Sequence, residues 1–165
     1  MFLIFDGANR QKRHIQRIIF QIMTDEEVLQ KMVRYCNYRE RNHLEVRLKL
    51  AASQVYGQRQ ENIVSTLIEA GYLNELRYAR AFVSGKFRIH RWGRNKIKQE
   101  LKQRQISEYS IKKALSEIDE SEYWMTLEYL IEKRKILKKN ESYHELSKYL
   151  LGRGFELSYI KEVLS

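Results

Sequence analysis

Lys86, Arg88, Arg91, Arg94, Lys98 and Lys102 set six cations within seventeen residues, with Trp92 among them. Chemistry open to such a set is capture of an anion rather than the making of a bond. From Tyr72 to Ile106 there are ten Lys or Arg against Glu75 and Glu100, a net +8 in a chain whose total is +10. Tyr72, Tyr78, Phe82, Phe87 and Trp92 are interleaved with these charges, and basic side chains mixed with aromatics suit a polyanion with stackable bases. The plainer reading is a solvated basic face with aromatic core anchors. On a helix beginning near Arg94, the side chains Arg94, Lys98 and Lys102 recur every four residues and share one face, opposite Ile97 and Leu101. Lys86, Arg88 and Arg91 in the preceding joint are placed to reach phosphates or acidic side chains. Trp92, beside Gly93, is either a stacking platform or a core plug.

Bond-making chemistry has no comparable signal, and the chain reads as a non-enzyme without metal or cofactor. The histidines, His14, His43, His90 and His144, never pair at an i, i+4 ligand spacing, and no HExxH, Walker loop or glycine-rich fingerprint occurs. Cys36 and His43 make no nucleophile pair, because nothing orients the base. As the only cysteine, Cys36 excludes an internal disulfide, suits a reducing cytoplasm, and reads as a buried inert thiol. No apolar run approaches the roughly 20 residues of a membrane span. Met1 to Phe5 is apolar, but Asp6 ends the run short of a signal peptide.

The elements that must position these cations are helices. With no proline, seven glycines and abundant Leu, Glu, Lys, Arg and Gln, little interrupts helical periodicity. Thr24 and Glu27 form a capping box, followed by an apolar face of Val28, Met32, Val33 and Cys36. After the joint at Asn37 to Asn42, a second helix presents Leu44, Leu48 and Ala51 or Ala52, with Val46 and Leu50 widening the stripe. A third uses Ile63, Val64, Leu67 and Ile68 and stops at Gly71. The pattern restarts at Asn74 with Leu76, Ala79, Phe82 and Val83, passes a basic joint from Lys86 to Arg94, and continues through Ser107 as a cap to Ile118. It restarts again with Trp124, Leu127 and Ile131, followed by a basic joint from Lys133 to Asn140.

Ile97, Leu101, Ile106, Ile111 and Leu115 fall 49 residues before Leu146, Leu150, Phe155, Ile160 and Leu164. Val46, Leu50 and Val55 precede the central anchors by 51, while Ile63 and Leu67 precede theirs by 48, which places a three-residue insertion around Tyr56 to Gln58. The expected fold is therefore all-α: three tandem three-helix, helix-turn-helix-like repeats stacked into an elongated curved array. The expected divisions are 23–71, 72–119 and 120–165, after an extension over 1–22. Met23 directly precedes the capping box and is the expected native start. Each joint after a first helix is basic (Arg39 and Arg41, then Lys86 to Arg94, then Lys133 to Lys139), so stacked repeats would carry a discontinuous basic track.

These residues resemble the RecX regulators of the bacterial recombinase RecA, from about Thr24 to Ser165. The most specific likeness lies in Leu73, Arg77, Tyr78, Ala79, Phe82 and Val83, then Lys96, Ile97, Glu100, Leu101 and Ile106. Tyr35 with Cys36, and the run from Glu45 to Leu50, are similar to the family's opening unit. The chain departs from the family where a Gly-Pro often begins the second helix; here Arg91, Trp92, Gly93, Arg94 and Asn95 stand. The resemblance implies three three-helix repeats and a non-enzymatic monomer. It implies a partner, RecA on single- or double-stranded DNA, in whose filament groove the protein lies. There it would restrain ATP hydrolysis, strand exchange and coprotease activity in DNA repair and the SOS response. The competing expectation is a sequence-tolerant nucleic-acid-binding helix-turn-helix module or transcriptional regulator.

Overall fold

A computed structural model describes residues 23–138 and 141–165 of the chain, and within them every regular element is an α-helix. In order these are α1 (Asp25–Tyr38), α2 (His43–Ala51), α3 (Gly57–Glu69), α4 (Glu75–Arg88), α5 (Arg94–Gln103), α6 (Glu108–Leu115), α7 (Glu120–Leu137), α8 (Tyr143–Gly152) and α9 (Leu157–Leu164). The extension expected over residues 1–22 lies outside the described residues. The chain divides between Glu75 and Leu76 into two compact units.

In the first unit, α3 packs on both α1 and α2. The capping box forms as expected: the Thr24 hydroxyl accepts the Glu27 amide, and the Glu27 carboxylate accepts the Thr24 amide. Val28, Met32, Val46, Leu50, Val55, Val64, Leu67 and Leu73 are buried, and Cys36 is a buried free thiol among them. The face that α2 buries is Val46 and Leu50, not the expected Leu44 and Leu48; Leu48 is 60% exposed. At 100° per residue only one of those two stripes can point at α3, and Val55 after the helix continues the Val46 side. Gly71 ends α3 at φ +74, a left-handed conformation that glycine adopts without strain; its amide bonds the Ile68 carbonyl and the Leu73 amide reaches back to the Leu67 carbonyl.

The second unit has a single core. Residues from Tyr78 to Ile160 form one buried cluster, so the second and third expected repeats share it. Tyr123 is completely buried at its centre, with ring centroids 5.7 Å from Phe87, 5.1 Å from Phe155 and 5.3 Å from Tyr159. Such aromatic pairs add about 0.5–1.5 kcal/mol each beyond area burial. Trp124, expected with Leu127 and Ile131 to open the third repeat, is only partly buried against that cluster.

The repeat is written most plainly in the turn that follows α2, α5 and α8. The amides of Val55, Ile106 and Phe155 bond the carbonyls of Leu50, Leu101 and Leu150. Just before each, Gln54, Gln105 and Gly154 take positive φ, at +61°, +58° and +92°. Offsets of 51 and 49 hold through these turns and through the N-caps Tyr56, Ser107 and Glu156. The turn itself is thus of equal length in the three copies, and the extra residues of the first unit follow Tyr56. The extra length is in α3, 13 residues against 8 in α6 and α9, and Ile63 and Leu67 face the core a turn further along.

Two of the expected basic joints are shorter than their charges suggested. α4 continues through Lys86 to Arg88, and α7 through Lys133 to Leu137; Lys139 and Asn140 lie outside the described residues. Lys86, Arg88, Arg134 and Lys135 occupy last turns, where cations complement the partial negative charge of the carbonyls. Basic residues there prolong a helix rather than end it. No described helix is long and apolar enough to cross a membrane.

Candidate anion-binding interface

Between α4 and α5 the chain runs through only five residues, Ile89 to Gly93, and three contacts fix its path. The Arg91 and Trp92 amides bond the Phe87 and Lys86 carbonyls, and the Gly93 amide bonds the Arg153 carbonyl at 2.8 Å. Asn95 N–H donates to Gly154 O at 3.0 Å. A Cβ on Gly93 would stand 2.3 Å from the Gly154 carbonyl carbon, so the joint lies directly against the α8–α9 turn.

The expected row of Arg94, Lys98 and Lys102 is broken at its first member. Arg94 is turned inward, its side chain 19% exposed. Its guanidinium donates to Glu120 Oε2 at 2.7 Å and to the Tyr159 hydroxyl at 3.2 Å, and lies 4.0 Å from the Tyr123 ring centroid. Burial works against its charge, but the bonds to Glu120 and Tyr159 outweigh it and raise its pKa above the ordinary arginine value. The Tyr123 hydroxyl accepts the Arg94 amide at 3.1 Å and donates to Glu156 at 2.5 Å. Burial, then this bond to Glu156, pushes the Tyr123 phenol far above its usual range. Arg94 is a bolt between α5, α7 and α9. Lys98 and Lys102 stay exposed, yet both approach Glu108, Lys98 at 3.6 Å and Lys102 in a short ion pair. Chiefly through Lys102, that contact holds the Glu108 carboxyl below its ordinary pKa.

Trp92 is partly buried against the core, and two ammonium groups lie over its ring, Lys86 at 4.7 Å and Lys96 at 4.5 Å. Arg88 is paired with Glu122 at 3.2 Å. In the first unit, Arg39 and Arg41 both pair with Glu45, and Arg41 is buried against the Tyr35 ring. Those two cations hold α1 to α2 and are largely spent on that task.

Arg91 differs from the paired arginines. It sits at φ +56 with its guanidinium 5.4 Å from the Tyr129 ring centroid, and Lys133 Nζ lies 5.8 Å from the same centroid. Across from them Arg153 donates to the His90 carbonyl at 2.7 Å. Among the described residues none of the three has a carboxylate partner within ion-pair distance. They line a groove of about 550 Å³ that also includes Ile89 and Leu137. Tyr129 and Arg153 carried no sequence signal: they lie 38 and 62 residues after Arg91 and meet it only through the packing of α7 and α8. Among the described residues no three His, Cys, Asp or Glu side chains converge on a metal-sized site.

Residues 74–115 match the family model for the second three-helix domain of RecX. The chain is 27% identical over 132 residues to a regulatory protein RecX of Clostridioides difficile, an alignment covering 75% of this chain and 62% of that relative. It is 26% identical over 140 residues to a regulatory protein RecX of Prosthecochloris aestuarii, covering 84% of this chain and 91% of the other. A crystal structure of RecX from Lactobacillus salivarius superimposes with a TM-score of 0.78 at 21% identity, over 85% of this chain and 94% of the other, a likeness of fold. The chain spans less than two thirds of some of these curated relatives, down to 36% of one from Lactobacillus johnsonii.

Proposed function

Because the chain belongs to the RecX family, we propose that it regulates the RecA recombinase by binding the RecA–DNA filament and restraining its ATPase, strand-exchange and coprotease activities. The observation that carries this reading is the cationic groove of the second unit. Arg91, Lys133 and Arg153 gather positive charge with no internal carboxylate to neutralise it. Like charges held together are relieved by an anionic partner, and a filament of nucleic acid and protein offers that charge along its length. Lys86, Arg88, Trp92, Lys98 and Lys102 flank the same unit as exposed or half-exposed contacts. Arg94 contributes by holding the helices that present them.

Titration of the protein into RecA assembled on single-stranded DNA, with ATP hydrolysis as the readout, tests the proposal. The rate is expected to fall at well below one protein per RecA. No effect at excess, together with tight and steeply salt-dependent binding to bare DNA, would overturn it. The chain would then be a sequence-tolerant nucleic-acid-binding module.

A further inference from the structure

We infer that the groove lined by Arg91, Lys133, Arg153, Tyr129, Ile89 and Leu137 is a docking site for an acidic peptide segment that carries a large apolar side chain. Two kinds of group converge there. Arg91 and Lys133 both lie within 6 Å of one tyrosine ring, and neither they nor Arg153 meets a carboxylate among the described residues. The neighbouring cations are satisfied from within: Arg134 by a paired Glu141 and Arg88 by Glu122. Charge complementarity therefore calls for anions brought from outside. Beside these cations stand aliphatic side chains in water, Ile89 at 78% and Leu137 at 71% exposure, with Tyr129 at 48%.

The aliphatic members decide between partners. A nucleic acid strand gains from flat aromatic faces on which bases stack, and Ile and Leu offer none. The two tyrosine rings that line the groove are already faced by cations, Tyr129 by Arg91 and Lys133, and Tyr149 by Arg134 and Arg153. A peptide with carboxylates around a Phe or Leu satisfies both halves of the groove, since its apolar side chain removes Ile89 and Leu137 from water while its acids meet the cations. The volume, about 550 Å³, falls within the roughly 300–1,000 Å³ of clefts that enclose small ligands or a few side chains.

This inference does not rest on the filament reading. Peptide binding and restraint of RecA are measured separately, so either can fail while the other stands. The probe is a short fluorescent peptide of Glu and Asp with a central Phe-Leu pair, titrated with the full chain and followed by anisotropy. A matched peptide with Ser-Ser at its centre and an oligothymidylate of equal charge complete the set. The Phe-Leu peptide is expected to bind about tenfold or more tightly than the Ser-Ser peptide. Arg91→Gly and Lys133→Gln are each expected to weaken it several-fold, and Ile89→Ser to erase the preference for Phe-Leu. Arg91→Gly guards against misfolding as an explanation, since glycine adopts φ +56 more readily than arginine. Equal binding of the two peptides, displacement of the peptide by the oligonucleotide at lower concentration, or unchanged affinity in Arg91→Gly would each overturn the assignment.

Discussion

Replacing Gly93 by alanine adds one methyl group where the fold leaves no room for it, and the cost can be worked out from the contacts. Gly93 has φ −75 and ψ 164, a conformation alanine adopts freely, so backbone strain contributes nothing. The new Cβ would lie 2.3 Å from the carbonyl carbon and oxygen of Gly154 and 2.4 Å from the Phe155 nitrogen, all main-chain atoms that no rotamer change can move aside. The α8–α9 turn must retreat by roughly 1 Å or more. That retreat breaks the bonds from the Gly93 amide to Arg153 and from the Asn95 amide to Gly154. Two hydrogen bonds at about 1 kcal/mol net each and about 2 kcal/mol of overpacking are offset by about 0.7 kcal/mol from a stiffer unfolded chain. The net loss is about 3 kcal/mol. Trp92 and Trp124, the only tryptophans, both belong to the second unit, so thermal unfolding followed by tryptophan emission reports on it alone. A fall in Tm of about 10 °C or more is expected. Gly85→Ala is the mirror experiment, because Gly85 lies inside α4 with nothing within 4 Å of its would-be Cβ. That change should raise stability by roughly 0.5–1 kcal/mol. If Gly93→Ala matches the wild type or gains as Gly85→Ala does, the pinned joint is wrong.

Arg94→Met should lower the stability of the second unit by about 1–2 kcal/mol, because it removes the guanidinium's bonds to Glu120 and Tyr159 and its place over the Tyr123 ring, while the bond from Tyr159 to Glu120 remains. Lys98→Ala with Lys102→Ala should move it by no more than about 0.5 kcal/mol, since both are exposed; urea midpoints from tryptophan emission give the comparison. Glu120 supplies a pH test. Its hydrogen bond from Tyr159, then that from Arg94, holds its folded pKa below the ordinary 4.5. The stabilisation it gives is therefore complete above that value and is lost as pH falls through the folded pKa. Glu120→Gln should be less stable than wild type at neutral pH, and the difference should shrink as pH falls below the ordinary carboxylate range. A gap that widens on acidification would reverse the sign of the argument.

Much of the scaffold was legible because burial obeys spacing. Val46, Leu50 and Val55, Ile97, Leu101 and Ile106, and Leu146, Leu150 and Phe155 share one pattern in the sequence, and all nine are buried. What hid were features whose chemistry does not depend on residue type. Gln54 and Gln105 hold the left-handed turn that Gly154 holds in the last copy, and a glutamine gives no notice of positive φ. Nor does the sequence say that Tyr123 rather than Trp124 lies inside, because two adjacent aromatics point to different faces of a helix and hydrophobicity does not say which face is buried.

Charge was the least legible property, for a physical reason. A lysine or arginine reads the same in sequence whether it faces solvent, a carboxylate or a ring, and its partner here often lies far along the chain. Glu120 is 26 residues from Arg94 and Tyr159 is 65, so the packing of α5 against α7 and α9, not the local run of cations, takes Arg94 out of the surface set. Glu108 partly neutralises Lys98 and Lys102 in the same way. The groove cations left without an internal carboxylate come from three separate stretches, around residues 91, 133 and 153. A search for the densest basic segment finds the middle of the chain. Finding the surface able to hold an outside anion requires subtracting every cation that the fold has already used.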